Sequence, residues 1–177
     1  MNAGASILVA GIGNIFFGDD AFGSEVAREL MRRPRPEGVK VEDFGIRSYD
    51  LAYALMDGCN AILIDAVARG GAPGTLYLIE PDLTALGDDG EVPDGHSMSP
   101  VRVFRMVEAL GGRMGRLYLV GCEPSVLESE DGAMGLSESV QAAVPRAIDM
   151  IEALLDDFLH DRVTIRSGLI GAAKEVS

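Results

Sequence analysis

The stretch Ile7-Leu8-Val9-Ala10-Gly11-Ile12-Gly13-Asn14-Ile15-Phe16-Phe17-Gly18-Asp19-Asp20-Ala21-Phe22-Gly23 carries the information that selects the fold. It opens as a short apolar run, the composition of a strand buried on both faces of a parallel sheet. The run breaks at Gly11-x-Gly13-Asn14, where glycine takes tight backbone paths and asparagine tolerates left-handed geometry. Two carboxylates, Asp19 and Asp20, then stand at the start of a helix predicted over 20–31, with Phe22, Val26, Ala27 and Leu30 at helical spacing. A strand that ends in glycines and feeds a helix N-terminus bearing acids puts those acids at the carboxyl edge of a sheet. Open α/β folds build their sites at that edge.

Gly11-x-Gly13 invites a dinucleotide reading, but the full fingerprint needs a third glycine at position 16, which is Phe16. A pyrophosphate also prefers a helix N-terminus free of other anions. Two aspartates there suit a cation, or complement the helix dipole at up to ~1 kcal/mol each. This stretch alone leaves both readings open.

Working outward, strands and helices alternate. Arg32-Arg33-Pro34-Arg35-Pro36 ends the first helix, because proline cannot continue it. Strands are predicted over 6–11, 39–44, 61–67, 75–80 and 117–121, with helices over 49–56, from Pro100 to about 110, and 138–159. Val101, Phe104, Val107, Ala109 and Leu110 are expected to bury the middle helix. Val140, Val144, Ile148, Ile151, Leu155 and Phe158 do the same for the last, inside which Pro145 is a potential kink. The alternation predicts an α/β fold, a three-layer α/β/α sandwich around a mostly parallel sheet of about five strands. Residues 1–160 read as one domain and 161–177 as a loosely structured tail.

Composition narrows the function. The 177 residues carry a net charge of −13, which disfavours nucleic acid and anionic membrane surfaces as partners. The start, Met1-Asn2-Ala3-Gly4-Ala5-Ser6, has no basic region and no long apolar core, so no signal peptide is expected. No apolar run approaches the ~18 residues of a membrane span. The expected location is the cytoplasm, where Cys59 and Cys122, lacking metal-ligand spacing, are reduced thiols.

Four further residues are candidates for chemistry. Asp65 ends the most strand-like run, Ala61-Ile62-Leu63-Ile64, where a charge is costly unless paired or coordinated. It either joins a site or caps the turn that follows. His96 comes at the end of a long polar loop, just ahead of a helix start. A neutral, ligating imidazole is favoured there over a charged one, although a solvated loop histidine is the ordinary alternative. His160, beside acids near the C-terminus, reads as a surface residue. Cys122 has no marked base, which argues against a nucleophilic thiol. Asp19-Asp20, Asp65 and His96 would all reach one sheet edge, a carboxylate and imidazole set suited to a divalent ion.

Gly11-Ile-Gly-Asn14, Gly18-Asp-Asp20-Ala-Phe-Gly23, Asp50-Leu51, Ile64-Asp65-Ala66-Val67, Pro73-Gly74-Thr75 and His96 occur in one order. Gly121-Cys-Glu-Pro124 and Gly135-Leu-Ser-Glu-Ser-Val140 follow. In this the chain resembles the hydrogenase maturation proteases. That resemblance implies an endopeptidase that removes a C-terminal extension from the nickel-loaded large-subunit precursor of a nickel–iron hydrogenase. It implies metal-contacting and catalytic roles for Asp20, Asp65 and His96, with the nickel carried by the substrate. The first position is often Glu in relatives, so the shorter Asp20 raises the question whether Asp19 shares its role. The free enzyme is expected to be a monomer. A non-catalytic nickel-sensing checkpoint module that binds the precursor is the alternative.

Overall fold

The computed structural model describes residues 7–81, 100–125, 134–160 and 174–176. Its strands are β1 (Ile7–Ile12), β2 (Val39–Gly45), β3 (Asn60–Ala66), β4 (Leu76–Ile79), β5 (Leu117–Cys122) and β6 (Lys174–Val176). The helices are α1 (Phe22–Met31), α2 (Ser48–Leu55), α3 (Pro100–Ala109) and α4 (Glu138–Leu159). The strand order is β2-β1-β3-β5-β4-β6. The first four strands in that order run parallel, and β4 pairs antiparallel with both β5 and β6.

Alternation along β1 divides the core in two. Ile7 and Val9 join Phe22, Val26, Val144 and Ile148 in the cluster under α1 and α4. Leu8, Ala10 and Ile12 join Leu51, Leu55, Val103 and Val107 under α2 and α3. Successive side chains of a strand point to opposite faces, so a strand apolar at every position fills both layers. This is the expected α/β/α sandwich.

Two expectations change. The tail expected over 161–177 contributes a sixth strand: Lys174–Val176 pairs with β4, with Leu76 opposite Val176. A sheet edge offers unpaired backbone groups to any nearby chain, and three residues carry too little pattern to announce such a strand. On α3 the buried residues are Val103 and Val107, while Ala109 is exposed. Val103 and Val107 are four apart and share a face; Ala109 falls outside that stripe. The expected stripe on α4 holds, and Pro145 stands on its exposed side with the helix continuing through it.

β1 sits between β2 and β3, and α1 and α2 cover opposite faces of the sheet. The chain therefore leaves β1 in one direction and returns past it to β3. The carboxyl ends of β1 and β3 frame the point where the winding reverses, which is the crevice that binds ligands in open α/β sheets.

Candidate active site

The glycines of the β1–α1 segment are explained by packing. A Cβ on Gly11 would lie 2.4 Å from the Gly23 carbonyl and 2.5 Å from Ala27 Cβ, and one on Gly23 would lie 2.0 Å from the Ile64 carbonyl. α1 therefore crosses β1 at glycine-on-glycine distance. Gly13, at φ +148°, leaves room for the Asp20 carbonyl, which would be 1.9 Å from an added Cβ. The motif holds the loop that carries Asp20, with no phosphate needed to account for it.

Asp19 and Asp20 fall in a short 3-10 turn, Gly18–Ala21, ahead of α1. Asp19 is buried and Asp20 half-buried. Asp19 accepts hydrogen bonds from the Ser125 N–H (2.8 Å), the Ser137 N–H (2.7 Å) and the Ser137 hydroxyl (2.9 Å). It ties the 3-10 turn to Ser125 after β5 and to Ser137 before α4. Asp20 Oδ2 accepts the Asn14 N–H at 3.0 Å. Burial raises the Asp20 pKa, and that hydrogen bond opposes the rise.

Asp65 is 8% exposed, a buried group at the end of its strand. Its Oδ1 accepts the Ala66 N–H at 2.8 Å. Burial pushes its pKa well above the usual carboxylate range; the negative charge of Asp20 raises it further, and the Ala66 N–H works against both. The structure thus brings Asp20 and Asp65 together at the crevice between β1 and β3. The Ala66 N–H that Asp65 holds belongs to the last residue of β3. His96 lies outside the described residues. Among those residues no group of three His, Cys, Asp or Glu side chains could hold a metal ion. His160 is exposed at the end of α4, 3.1 Å from Asp156, as a surface residue should be.

Glu123 is the group that sequence reasoning left without a role. It is 5% exposed, at the carboxyl end of β5. Its carboxylate accepts the N–H groups of Arg69 (2.8 Å) and Gly70 (3.2 Å) and the Tyr77 hydroxyl (2.7 Å). Burial opposes its ionisation. The Tyr77 hydroxyl and the N–H groups of Arg69, Gly71 and Gly70 outweigh that and hold its pKa below the usual glutamate range. Its backbone also exchanges hydrogen bonds with Gly74 and Thr75. Glu123 therefore fastens the loop that leaves β3 just after Asp65. The legible signal was an acid directly after a wholly apolar strand, in a chain with a glycine-rich turn at 69–71.

Cys122 is fully buried, and burial first and Asp19 second push its thiol up to about 12. A thiol so placed carries almost no thiolate at neutral pH.

A family model described as hydrogenase maturation protease matches residues 24–154. The chain belongs to that family. It is 33% identical over 155 residues to the coenzyme F420 hydrogenase subunit delta of Methanothermobacter thermautotrophicus, covering 83% of this chain and 92% of that one. It is 30% identical over 152 residues to the hydrogenase 2 maturation protease of Escherichia coli, covering 84% and 90%. The structure superposes on the hydrogenase maturating endopeptidase HybD from E. coli with a TM-score of 0.72 at 26% identity, covering 86% of this chain and 93% of that one.

Membership makes this chain a hydrolase, an endopeptidase of hydrogenase maturation. No helix among the described residues is long and apolar enough to cross a membrane.

Proposed function

We propose that this endopeptidase removes a C-terminal extension from the nickel-loaded large-subunit precursor of a nickel–iron hydrogenase. In this reading Asp20, Asp65 and His96 are the groups that meet the substrate, and the nickel arrives as part of that substrate. The observation that carries it is the convergence of Asp20 and Asp65 at the β1/β3 crevice, where the charge of one raises the pKa of the other. Like charges on the half-buried Asp20 and the buried Asp65 repel, and a divalent ion between them and the precursor would relieve that repulsion while fixing the scissile segment at the edge.

The roles of the chain's own residues follow from their surroundings. The Asn14 N–H holds Asp20 facing the crevice, and the Ala66 N–H holds Asp65. Asp65 retains its proton to higher pH than an ordinary aspartate, so it is suited to give or take a proton at the scissile bond. This makes the activity aspartic in type. His96 completes the set, leaving the remaining coordination positions to groups of the substrate. The chain works as a cytoplasmic monomer that meets one precursor at a time.

The test is a processing assay on the cognate large-subunit precursor, with and without nickel inserted, read by mass spectrometry of its C-terminus. A defined truncation in the loaded sample alone supports the reading, and Asp20→Ala, Asp65→Ala and His96→Ala should each abolish it. Tight binding of the loaded precursor without truncation would sink the protease assignment for this substrate and leave a checkpoint module.

A further inference from the structure

Outside the carboxylate crevice, the most uneven feature of the surface is where its large apolar side chains lie. Phe16 and Phe17 are 61% and 48% exposed, Ile46 69%, and Tyr49 and Tyr53 67% and 55%. The chain has six Phe and four Tyr, so four of its ten aromatics are spent here in contact with solvent. An isolated exposed apolar residue is ordinary, whereas a group of them beside a site marks an interaction surface.

Topology draws these residues together. Phe16 and Phe17 follow the carboxyl end of β1, and Ile46 follows that of β2, the adjacent strand. The two loops are joined by the Gly13 N–H bonding to the Gly45 carbonyl at 3.0 Å. Tyr49 and Tyr53 are four residues apart, on one face of α2, in the helix that begins two residues beyond Ile46.

The same loop holds the candidate site. The Asn14 side chain accepts the Phe16 N–H at 3.0 Å, while the Asn14 N–H donates to the Asp20 carboxylate. A molecule seated on Phe16 therefore rests against the segment that positions Asp20.

We propose that Phe16, Phe17, Ile46, Tyr49 and Tyr53 form the docking surface for a folded apolar face of the precursor protein, next to the extension being cut. This rests on the function proposed above. The chemistry of the rim selects that occupant. Its ions are paired with one another, Arg47 with Asp50 at 3.1 Å and Arg28 with Asp43 at 3.0 Å, on a chain whose net charge is −13. The surface offers aromatic area in place of net charge, as the centre of a protein–protein interface does. A second copy of this chain on the same surface would stand over the site that the substrate has to reach.

The experiment combines Phe16→Ser, Ile46→Ser and Tyr49→Ser, with each single substitution and Tyr53→Ser as companions that keep the test valid should the triple variant melt early. The readouts are KM and kcat on the nickel-loaded precursor and the affinity for that precursor by surface plasmon resonance. The expected result is a KM about tenfold higher and binding about tenfold weaker, with kcat at saturation little changed. Unchanged KM and affinity overturn the proposal. So does a wild-type dimer that the substitutions dissolve without moving KM, which assigns the surface to a second copy. If the wild type binds the precursor and leaves it uncut, the protease reading of this substrate fails, and the binding arm alone decides the docking surface.

Discussion

Asp19 grips Ser137 twice, accepting its backbone N–H on one carboxylate oxygen and its hydroxyl on the other. The adjacent Asp20 faces Asp65 at the crevice. Asp19 thus holds the fold through Ser125 and Ser137, and in the function proposed above the site falls to Asp20. This proposed division has a measurable signature. Asp19→Ala removes a buried carboxylate that holds the part-buried donors of Ser125 and Ser137 and should cost about 2–3 kcal/mol in urea unfolding. Asp20→Ala should change stability by less than about 1 kcal/mol while lowering processing by about 10²–10⁴-fold. Equal effects of the two on stability would overturn the division.

Asp65 should make the protein less stable as pH rises. Its pKa in the fold lies well above the ordinary aspartate value of 3.8. A raised pKa means that the native state keeps a proton the unfolded chain has already released. The contribution is therefore fully present below about pH 4 and is lost as pH climbs toward the folded value, at up to about 1.4 kcal/mol per unit. Asp65→Asn removes this dependence. The melting temperature of the variant, measured metal-free, should match the wild type near pH 4 and exceed it by a growing margin toward pH 7. A gap that stays constant with pH would show that Asp65 is ionised throughout.

Much of this was legible from the chain. β1 and its glycines were readable because an apolar run broken by Gly-x-Gly allows few alternatives, and α4 because a long amphipathic period is hard to mistake. The edge position of Asp65 was readable from a lone acid ending an apolar strand. Its depth was not, since burial at a strand end depends on what the 3-10 turn and the β5 loop lay across it. The separate tasks of Asp19 and Asp20 were hidden for a related reason. Ser125 and Ser137 are more than a hundred residues from Asp19, and no local pattern links them. β6 escaped notice because its pairing is dictated by the open edge of β4 and not by its own three residues.

Glu123 should show the opposite pH sign to Asp65. Its pKa is held below the ordinary glutamate value of 4.5, so its stabilisation is present above that value and fades as pH falls through the folded one. Glu123→Gln turns an acceptor toward backbone N–H groups into a mixed amide and should cost about 1–3 kcal/mol at pH 7. Chemical denaturation at pH 7 and again at pH 3 checks this. The gap between variant and wild type should narrow at the lower pH, and a gap that widens would refute the network.

Gly23 offers a test of why the glycine motif exists. Gly→Ala near a helix start ordinarily stabilises by about 0.5–1 kcal/mol. Here the new Cβ would lie 2.0 Å from the Ile64 carbonyl and 2.2 Å from that of Ile12, both backbone atoms of central strands. Neither can move without displacing β1 or β3, so Gly23→Ala should destabilise by about 3 kcal/mol. Thermal melts of the purified variant provide the check. A variant as stable as the wild type would mean that α1 does not approach the sheet this closely.

The surroundings of Cys122 argue against a thiol mechanism. It stands opposite Ala66, the residue after Asp65, in the sheet, yet its side chain is fully buried and its thiol is pushed up to about 12. Alkylation of the native protein at pH 7.5, followed by mass spectrometry, should leave Cys122 unmodified until the fold is opened by denaturant. Cys122→Ser should process the precursor at close to the wild-type rate, because the substitution keeps a small group able to donate toward the Glu123 carbonyl, as the thiol does at 3.8 Å. Loss of processing in a variant that retains its melting temperature would return the sulfur to the mechanism. It would also demand a base for it, which the buried surroundings of Cys122, made more anionic by Asp19, are poorly built to supply.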